Sequence, residues 1–340
     1  MEDVAAEAGV SRALVSLVIR DSPRVSRVSR ELVLGTAARM GYRPNLMARN
    51  LASRRTMTIG LLLNDLHNPW FAEIADGIFA EADANGYRII LGSGRRTATN
   101  EDEVIESFLS FRVDGIVVAG CRLAPQRIEE VGTEVPLVSV GRAIRSAVVA
   151  TVSSDDRMGA RLAVEHLVGL GHRNIVHIDG GRGAGASPRR AGYLAAMREF
   201  GLEQFSKVVP ADFTEQAGAA ATEQLLTVAP LPTALFTSND LLAIGALDRL
   251  EQAGLNVPGD VSIVGYDNTS LAALHHISLT TVDQPREQMG RVAFTTLLDK
   301  LNRTAGADST GGAAAASHHL MSPELIERRT TRRLDGARSR

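Results

Sequence analysis

From residue 58 onward, short apolar runs alternate with amphipathic stretches of helical period, and this alternation restricts the fold more than any other feature of the chain. The apolar runs cover 59–63, 87–91, 115–119, 137–140, 175–178, 234–237 and 261–264. The helical stretches between them cover 71–85, 101–111, 159–169, 189–200, 216–227 and 241–254. This βαβ order predicts parallel sheets with helices on both faces. Because about 225 residues exceed one comfortable domain, we expect two Rossmann-like α/β lobes that bind ligands at the carboxyl ends of their strands.

Residues 2–20 have a different period and predict two helices joined by a tight turn. Two helices that cross steeply need a small residue where they touch, and Ala5 provides it. Gly9 suits the turn because it tolerates backbone angles that other residues avoid. The apolar residues that would lock the pair are Val10, Val15 and Val18.

The outer face of the second helix and the charge of this region indicate a nucleic-acid partner. Ser11 is a good N-cap, and Arg12 and Ser16 follow on the face that a helix would offer to the DNA major groove. Residues 1–56 hold ten arginines, no lysine and five acidic residues, a net charge of +5. The whole chain carries −2, so the remainder carries −7. A basic segment on an acidic body suits salt-sensitive binding to phosphates.

Composition narrows the class of protein further. The 340 residues are 44% hydrophobic and 22% charged, which is typical of a globular protein with two or three domains. The single Cys121 excludes an internal disulfide and suits a reducing cytoplasm. No apolar run approaches about 18 residues, so no membrane span is expected. The N-terminus lacks the pattern of a signal peptide, and we expect a cytoplasmic protein.

Turn residues and shifts in composition indicate the domain boundaries. A third helix is predicted over 29–40, ended by Gly41, and a short helix over 46–53. The Gly/Ala/Ser-rich stretch 305–317 is expected to be a flexible loop and the tail after Arg332 to be disordered. We predict a head at 1–45, a hinge helix and linker at 46–56, a two-lobed domain at 57–330 and a tail at 331–340. The first lobe would comprise 57–153 and 285–305, and the second 154–282 and 318–330.

Several motifs in a fixed order span nearly the whole chain. They are DVAAEAGVS at 3–11, GYRPN and ARNLA within 41–52, TIGLLL at 58–63, NPWF at 68–71, DGIVV at 114–118, HLVGLGHRNI at 166–175, SND and AIGAL within 238–247, VPGDVSIVGYDN at 257–268 and TTVDQP at 280–285. With this set the chain resembles the LacI/GalR family of bacterial transcription regulators. One such motif would be a weak signal, but the ordered set is specific.

The resemblance implies the architecture and the class of function. It implies an α-helical helix-turn-helix head joined by a hinge helix to an α/β, two-lobed, periplasmic-binding-protein-like effector domain. It also implies a homodimer that binds pseudo-palindromic operator DNA, most often as a repressor, under control of a small-molecule effector. We expect the effector to be a sugar and the regulated genes to serve sugar or related carbon metabolism. No cofactor, metal or enzymatic activity is expected.

The same resemblance assigns residues to DNA contact. Arg12 and Ala13 match positions that read bases, and an arginine there suits bidentate contact with guanine. Leu51 matches the hinge leucine that wedges into the minor groove and kinks the operator. The DNA-binding residues implied are Ser11, Arg12, Ala13, Ser16, Leu17, Arg20, Asn45, Ala48 and Leu51.

Three positions of the second helix depart from the family's usual residues. Leu17 stands where many members carry a base-contacting arginine, Leu14 where threonine is usual, and Arg20 where asparagine is usual. We therefore expect an operator that either offers a thymine methyl to apolar contact or differs from the family's common sequence.

Aromatic and planar polar residues match the effector positions of sugar-binding relatives. A sugar pocket needs flat aromatic walls and side chains that bond hydroxyls bidentately. Gly141-Arg142 stands where an Asp/Arg pair is frequent, so one acidic hydroxyl acceptor is lost. The effector-binding residues implied are Asn68, Trp70, Phe71, Arg142, Arg189, Phe213, Asn239, Asp267 and Gln284.

Structural interpretations of these residues stay open beside the functional ones. Phe71 and Phe213 would also suit a core, and Trp70 would suit packing between lobes. Asp267 would suit a turn, and Arg189 a surface charge. Two further acids, Asp155 and Asp240, are better explained as caps of the helices that follow them.

Two other patterns are weaker. Residues 180–187 lie between a strand and a helix with the glycine spacing of a phosphate-binding loop, but Ala186 replaces the essential lysine. The histidine pairs at 275–276 and 318–319 lack the further ligands of a metal site. A regulator that senses a nucleoside or a phosphorylated metabolite stays an alternative. A transporter's sugar-binding protein is disfavoured by the missing signal peptide, and a sugar-processing enzyme by the lack of a catalytic constellation.

Overall fold

The computed structural model describes residues 1–19, 22–42, 55–306 and 317–334. It contains two compact units, Met1–Thr56 and Met57–Arg340. The helix predicted over 46–53 and most of the loop predicted over 305–317 lie outside the described residues.

The small unit is a three-helix head whose elements are α1 (Glu2–Glu7), α2 (Arg12–Ile19) and α3 (Arg27–Arg39). Gly9 adopts a φ of +63° in the turn, and the Ser11 hydroxyl accepts the Leu14 N–H at 3.2 Å, so both predictions for this turn are confirmed. The third helix begins two residues earlier than predicted, because the Ser26 hydroxyl caps it. The core consists of Val4, Ala5, Val15, Val18, Val33 and Ala37.

The larger unit has two lobes, each built on a six-stranded sheet. The strands are β1 (Thr58–Leu63), β2 (Arg88–Ser93), β3 (Gly115–Ala119), β4 (Leu137–Val140), β5 (Val149–Ser154), β6 (Ile175–Ile178), β7 (Lys207–Val209), β8 (Ala234–Thr237), β9 (Ser262–Asp267), β10 (Thr280–Asp283), β11 (His318–Met321) and β12 (Glu324–Ile326). The helices are α4 (Pro69–Ala84), α5 (Ala98–Ser110), α6 (Pro125–Glu134), α7 (Asp156–Gly169), α8 (Ala186–Glu199), α9 (Glu215–Leu226), α10 (Asp240–Gln252) and α11 (Arg286–Gly306).

Both sheets are parallel apart from one edge strand, as the alternating pattern predicted. The first has the order β11-β5-β4-β3-β1-β2, and the second β12-β10-β9-β8-β6-β7, with β12 antiparallel to β10. Successive residues of a strand face opposite sides of its sheet. Accordingly, Ile59, Leu61 and Leu63 lie in one hydrophobic cluster and Leu62 in another.

The chain passes between the lobes three times: between β5 and α7, between β10 and α11, and between β11 and β12. These crossovers lie side by side. The Asp155 N–H donates to the Met321 carbonyl at 2.9 Å, and Asp283 pairs with Glu324 in the second sheet.

Two predictions for the C-terminal region are wrong. The prediction that 318–330 belong to the second lobe is wrong for 318–321, because β11 pairs with β5 and satisfies the edge that β5 would otherwise leave open in the first sheet, whereas β12 joins the second sheet. The prediction of disorder directly after Arg332 is wrong for the two residues that follow it, which the structure describes. The Leu334 N–H donates to the Leu170 carbonyl at 2.9 Å, which holds the chain on the second lobe to that point.

Helix α11 packs on the first lobe against α4 through a glycine contact. A Cβ atom placed on Gly290 would lie 2.1 Å from the carbonyl oxygen of Ile74. One placed on Gly77 would lie 2.1 Å from the carbonyl oxygen of Glu287. The two backbones therefore touch directly, which anchors the segment that returns from the second lobe.

We expect Gly290→Ala to lower the free energy of unfolding by about 1–3 kcal/mol, because the added methyl group meets rigid backbone. Gly169→Ala is the matched control: it lies in helix α7 with nothing within 4 Å of the added atom. It should leave stability unchanged or raise it by up to about 1 kcal/mol. Urea unfolding of both variants measures the difference, and equal effects would contradict the backbone contact.

Candidate functional site

A cleft lies between the two lobes at the carboxyl ends of both sheets, where parallel α/β sheets bind ligands. Together with the open solvent at its mouth, the cleft comprises about 510 Å³. Seven of the nine predicted effector residues line it: Asn68, Trp70, Phe71, Arg189, Phe213, Asn239 and Asp267.

The aromatic walls are held by local structure at both sides of the cleft. Asn68 caps α4 by accepting the Trp70 N–H at 3.0 Å, and this fixes the first turn of that helix. The Trp70 and Phe71 rings meet edge to face, with centroids 4.9 Å apart. On the opposite lobe, Phe213 lies directly against the glycine loop. A Cβ atom on either Gly180 or Gly183 would lie 2.2 Å from the Phe213 ring, so these glycines make room for an aromatic wall.

Three side chains of the cleft have buried donors without a partner among the described residues. The donor atoms are Trp70 Nε1, Asn239 Nδ2 and Arg122 Nε. Asn239 uses its Oδ1 to cap α10, accepting the Leu242 N–H at 2.9 Å, which leaves only the amide nitrogen for a ligand. Buried polar groups are almost always paired, so such donors in a cleft wall mark positions where a ligand acceptor would fit.

The floor of the cleft in the second lobe is built around Arg189, which is 5% exposed. Its guanidinium donates to the Asp156 carboxylate at 2.8 Å and to the Ser238 carbonyl at 2.6 Å. It also lies 3.6 Å from the Asp267 carboxylate and 3.8 Å over the centroid of the Tyr266 ring. The interpretation of Arg189 as a surface charge is therefore wrong.

Asp267 has a backbone φ of +109°, a conformation that residues other than glycine rarely adopt. Such strain costs on the order of 1–3 kcal/mol and concentrates at binding sites. Burial raises the pKa of Asp267 to about 8, against the opposing effect of the Arg189 charge. Gln284 donates to its carboxylate at 2.6 Å, which fixes the side chain.

Two predicted effector residues do not line this cleft. Gln284 is buried behind Asp267 and acts on the cleft through that hydrogen bond. Arg142 faces an adjacent cavity, because its guanidinium is held by the carbonyl oxygens of Cys121 and Leu123 at 3.1 and 2.6 Å. The assignment of Asp240 as a helix cap is also wrong: its carboxylate accepts the Thr281 hydroxyl at 2.6 Å, and Asn239 caps the helix.

Sequence reasoning missed several cleft residues. Asn64, Asp65, Arg96 and Arg122 also line it, and the first two directly follow β1, where the rule for strand ends could have found them. Behind them lies Glu101, a fully buried carboxylate that nothing in its local sequence distinguishes. It accepts hydrogen bonds from the Asn64 amide, the Cys121 thiol, and the Arg122 and Leu123 backbone N–H groups.

One ion pair bridges the two lobes across the cleft. The Arg122 guanidinium, from the first lobe, donates to the Asp212 carboxylate of the second at 2.7 Å. Arg122 Nε is buried without a partner in the described part of the chain. The pair therefore joins the two lobes beside the cleft and leaves one buried donor of Arg122 unused.

The head presents the predicted DNA-facing residues of α2 as far as the structure describes them. Arg12, Ala13 and Leu17 are exposed, Ser16 is half-buried, and exposed Ser11 is used as the cap. Arg12 donates to Glu2 at 2.8 Å in an exposed ion pair. The remaining predicted contacts lie outside the described residues: Arg20, Asn45, Ala48 and Leu51.

In the described ranges, no group of three or more His, Cys, Asp or Glu side chains is arranged to hold a metal ion. None of the described helices is both long enough and apolar enough to cross a membrane.

Comparison with known proteins adds to this geometry. Residues 1–45 match the family model for bacterial regulatory proteins of the lacI family, and residues 164–331 match a periplasmic binding protein-like domain. The chain is 36% identical over 305 residues to catabolite control protein A of Priestia megaterium, covering 88% of this chain and 92% of that protein.

Two solved structures are similar over nearly the full length. The lac repressor dimer bound to operator and the anti-inducer ONPF is 28% identical, with a TM-score of 0.84, and the match covers 97% of this chain and 98% of that chain. The transcriptional regulator CelR in complex with cellobiose is 31% identical, with a TM-score of 0.70, covering 96% and 98%.

A helix-turn-helix head followed by a two-lobed α/β domain with an inter-lobe cleft defines a DNA-binding transcriptional regulator with a ligand-binding domain, and not an enzyme. The chain belongs to the LacI family.

We expect stability to fall as the pH rises from about 4 to about 8, because folded Asp267 keeps a proton that the unfolded chain has already lost. Asp267 lowers the free energy of unfolding by at most about 1.4 kcal/mol per pH unit, and this loss stops once the pH is above the pKa of the folded state. Asp267→Asn has no proton to lose there, so its urea midpoint should fall less than that of the wild type between pH 5 and pH 8. Parallel profiles for the two proteins would contradict the raised pKa.

Proposed function

We propose that the regulator responds to a sugar bound in the inter-lobe cleft. The observation that carries this proposal is the combination of aromatic walls with the unpartnered donors Trp70 Nε1 and Asn239 Nδ2. Aromatic rings suit the apolar faces of a sugar, and amide, indole and carboxyl groups suit its hydroxyls. Asp267, when protonated, both donates and accepts. The cellobiose complex of the similar regulator CelR supports a sugar as the ligand class.

We further propose that two copies of the chain bind one pseudo-palindromic operator. The operator-bound dimer of the similar lac repressor supports this arrangement. Arg12 and Ala13 would read bases, with Ser11, Ser16, Leu17 and Arg20 beside them. Leu51 would wedge into the minor groove at the operator centre, with Asn45 and Ala48 lining that groove. The exposed side chains of α2 are available for the first of these roles.

The sugar would act by binding one arrangement of the lobes more tightly than another. Such differential affinity shifts the population of states and so changes the affinity of the head for DNA. The Arg122–Asp212 pair is one contact that would differ between arrangements, because it joins the two lobes. We place this action on chromosomal DNA in the cytoplasm.

Trp70 is the only tryptophan, so its fluorescence reports on the cleft alone. We expect a panel of hexoses, pentoses and disaccharides to contain members that change this fluorescence saturably. Phe213→Leu should weaken the binding affinity for those sugars by roughly 2- to 13-fold, the range for loss of one aromatic contact. Phe205→Leu, an exposed phenylalanine of the same lobe, is the control. Equal affinities in all three proteins would remove Phe213 from the site.

We expect Arg12→Gln to weaken binding to DNA from upstream of the protein's own gene by roughly 5- to 150-fold, the range for one bidentate base contact. Arg27→Gln is the control, because Arg27 is an exposed arginine of α3 in the same head. Fluorescence anisotropy at several salt concentrations separates the loss of a base contact from a general loss of charge. If neither the wild type nor the control prefers this DNA over random sequence at any salt concentration, the proposal of an operator upstream of the protein's own gene is contradicted.

A further inference from the structure

A second cavity opens directly beside the cleft and holds basic groups that the cleft does not use. It shares Arg122, Gly141, Gly183 and Ala184 with the cleft and comprises about 1200 Å³ together with the open solvent at its mouth. Both lobes contribute to its walls. The two cavities are therefore immediate neighbours.

Three further arginines face the second cavity: Arg142, Arg157 and Arg182. None of them lies within 4.0 Å of a carboxylate in the described part of the chain, where ion pairs of other arginines are frequent. Arg142 is fixed by two carbonyl oxygens, which orient its guanidinium without neutralising the charge. Arg157 and Arg182 are exposed, and they lie at the start of α7 and in the glycine loop, respectively.

The acidic groups of this cavity are already engaged. The Asp156 carboxylate accepts from Arg189 at 2.8 Å, so its charge is balanced inside the second lobe. The Asp155 carboxylate caps α7 by accepting the Met158 N–H at 3.0 Å. The cavity therefore keeps an excess of positive charge.

A helix N-terminus and a buried serine complete the wall. Helix α8 has fourteen residues, its N-cap Gly185 provides no side-chain hydrogen bond, and Gly181 to Gly185 line the cavity at this end. The N-terminus of a helix attracts anions through its dipole and its unpaired N–H groups. At α8 the Ala186 N–H donates to the Gly183 carbonyl and Pro188 has no N–H, so this end acts mainly through its dipole. The buried Ser154, 4% exposed as a residue, also lines the same cavity, and its hydroxyl interacts with the Tyr266 hydroxyl.

We propose that the second cavity is a binding subsite for an anionic group of the phosphate type, placed beside the sugar in the cleft. This inference rests on the proposed sugar site for the neutral part of the ligand. The planar guanidinium groups and the helix N-terminus match the several acceptor oxygens of a phosphate. The glycines of 180–187 thus have two roles: Gly180 and Gly183 admit Phe213, and Gly181 and Gly185 face the anion. The arginines supply the charge that Ala186 lacks.

The first arm of the test uses inorganic phosphate as the probe on the full chain. Phosphate is titrated against chloride at constant ionic strength, and the melting temperature and Trp70 fluorescence are followed. We compare the wild type, the double variant Arg157→Gln/Arg182→Gln and the control Arg88→Gln. Arg88 is exposed and starts β2, at the end of the sheet away from the cleft.

We expect saturable stabilisation in the wild type and the control, with a dissociation constant at least about tenfold larger in the double variant. A melting temperature that rises linearly with phosphate, and equally in all three proteins, would show only the general stabilisation of folded proteins by phosphate salts. That result, or an unchanged dissociation constant in the double variant, would overturn the subsite.

The second arm identifies the source of the anion by comparing hexoses with their phosphate esters. If one ligand spans both cavities, a sugar phosphate ester binds more tightly than its parent sugar and than inorganic phosphate. The ratio of the affinity for the ester to that for the parent sugar then falls at least about tenfold in the double variant. If the anion is a separate ion, inorganic phosphate and a neutral sugar bind together. Sugars without effect on Trp70 or on DNA binding, with phosphate still bound, would defeat the sugar proposal but not the subsite.

Discussion

The buried guanidinium of Arg189 is the contact on which the ligand-binding side of the second lobe depends. It joins the start of α7 through Asp156, the end of β8 through the Ser238 carbonyl, and the end of β9 through Asp267 and the Tyr266 ring. All of these partners are buried, so losing the cation would leave the Asp156 carboxylate without its balancing charge. Breaking one buried pair of this kind costs about 3–5 kcal/mol. The polar floor of the cleft is therefore held rigid before any ligand arrives.

The first lobe reaches similar rigidity with a buried anion, Glu101. It has no arginine or lysine partner among the described residues, and its two oxygens are satisfied by one amide, one thiol and two backbone N–H groups. These bonds fix Asn64 and the segment that carries Arg122. One lobe thus arranges its cleft wall around a cation and the other around an anion. Neither central charge needs the ligand for its own stability, so ligand groups are left to meet the surrounding donors.

The sequence predicted the sheets well where strands are purely apolar and poorly where burial depends on distant hydroxyl partners. Strand β10 reads TTVD, and its Thr281 is buried only because Asp240, from another strand end, accepts its hydroxyl. The rule for strand ends placed most cleft residues, because it depends on topology alone. It could not find Glu101, whose partners lie 37 residues before it and about 20 after it. It misplaced Arg142 because nearby carbonyl oxygens turn that side chain into the adjacent cavity.

The three adjacent crossovers determine how the two lobes can move. Because Asp155 bonds Met321 and Asp283 pairs with Glu324, the connections are tied into one narrow bundle at one side of the unit. Lobes joined in this way bend about an axis through the bundle and cannot slide apart, which is the behaviour of a hinge. Displacement then grows with distance from that axis. A small rotation that barely moves Arg286, which bonds Glu73 and Asn268 beside the bundle, is enlarged at the far ends of the lobes.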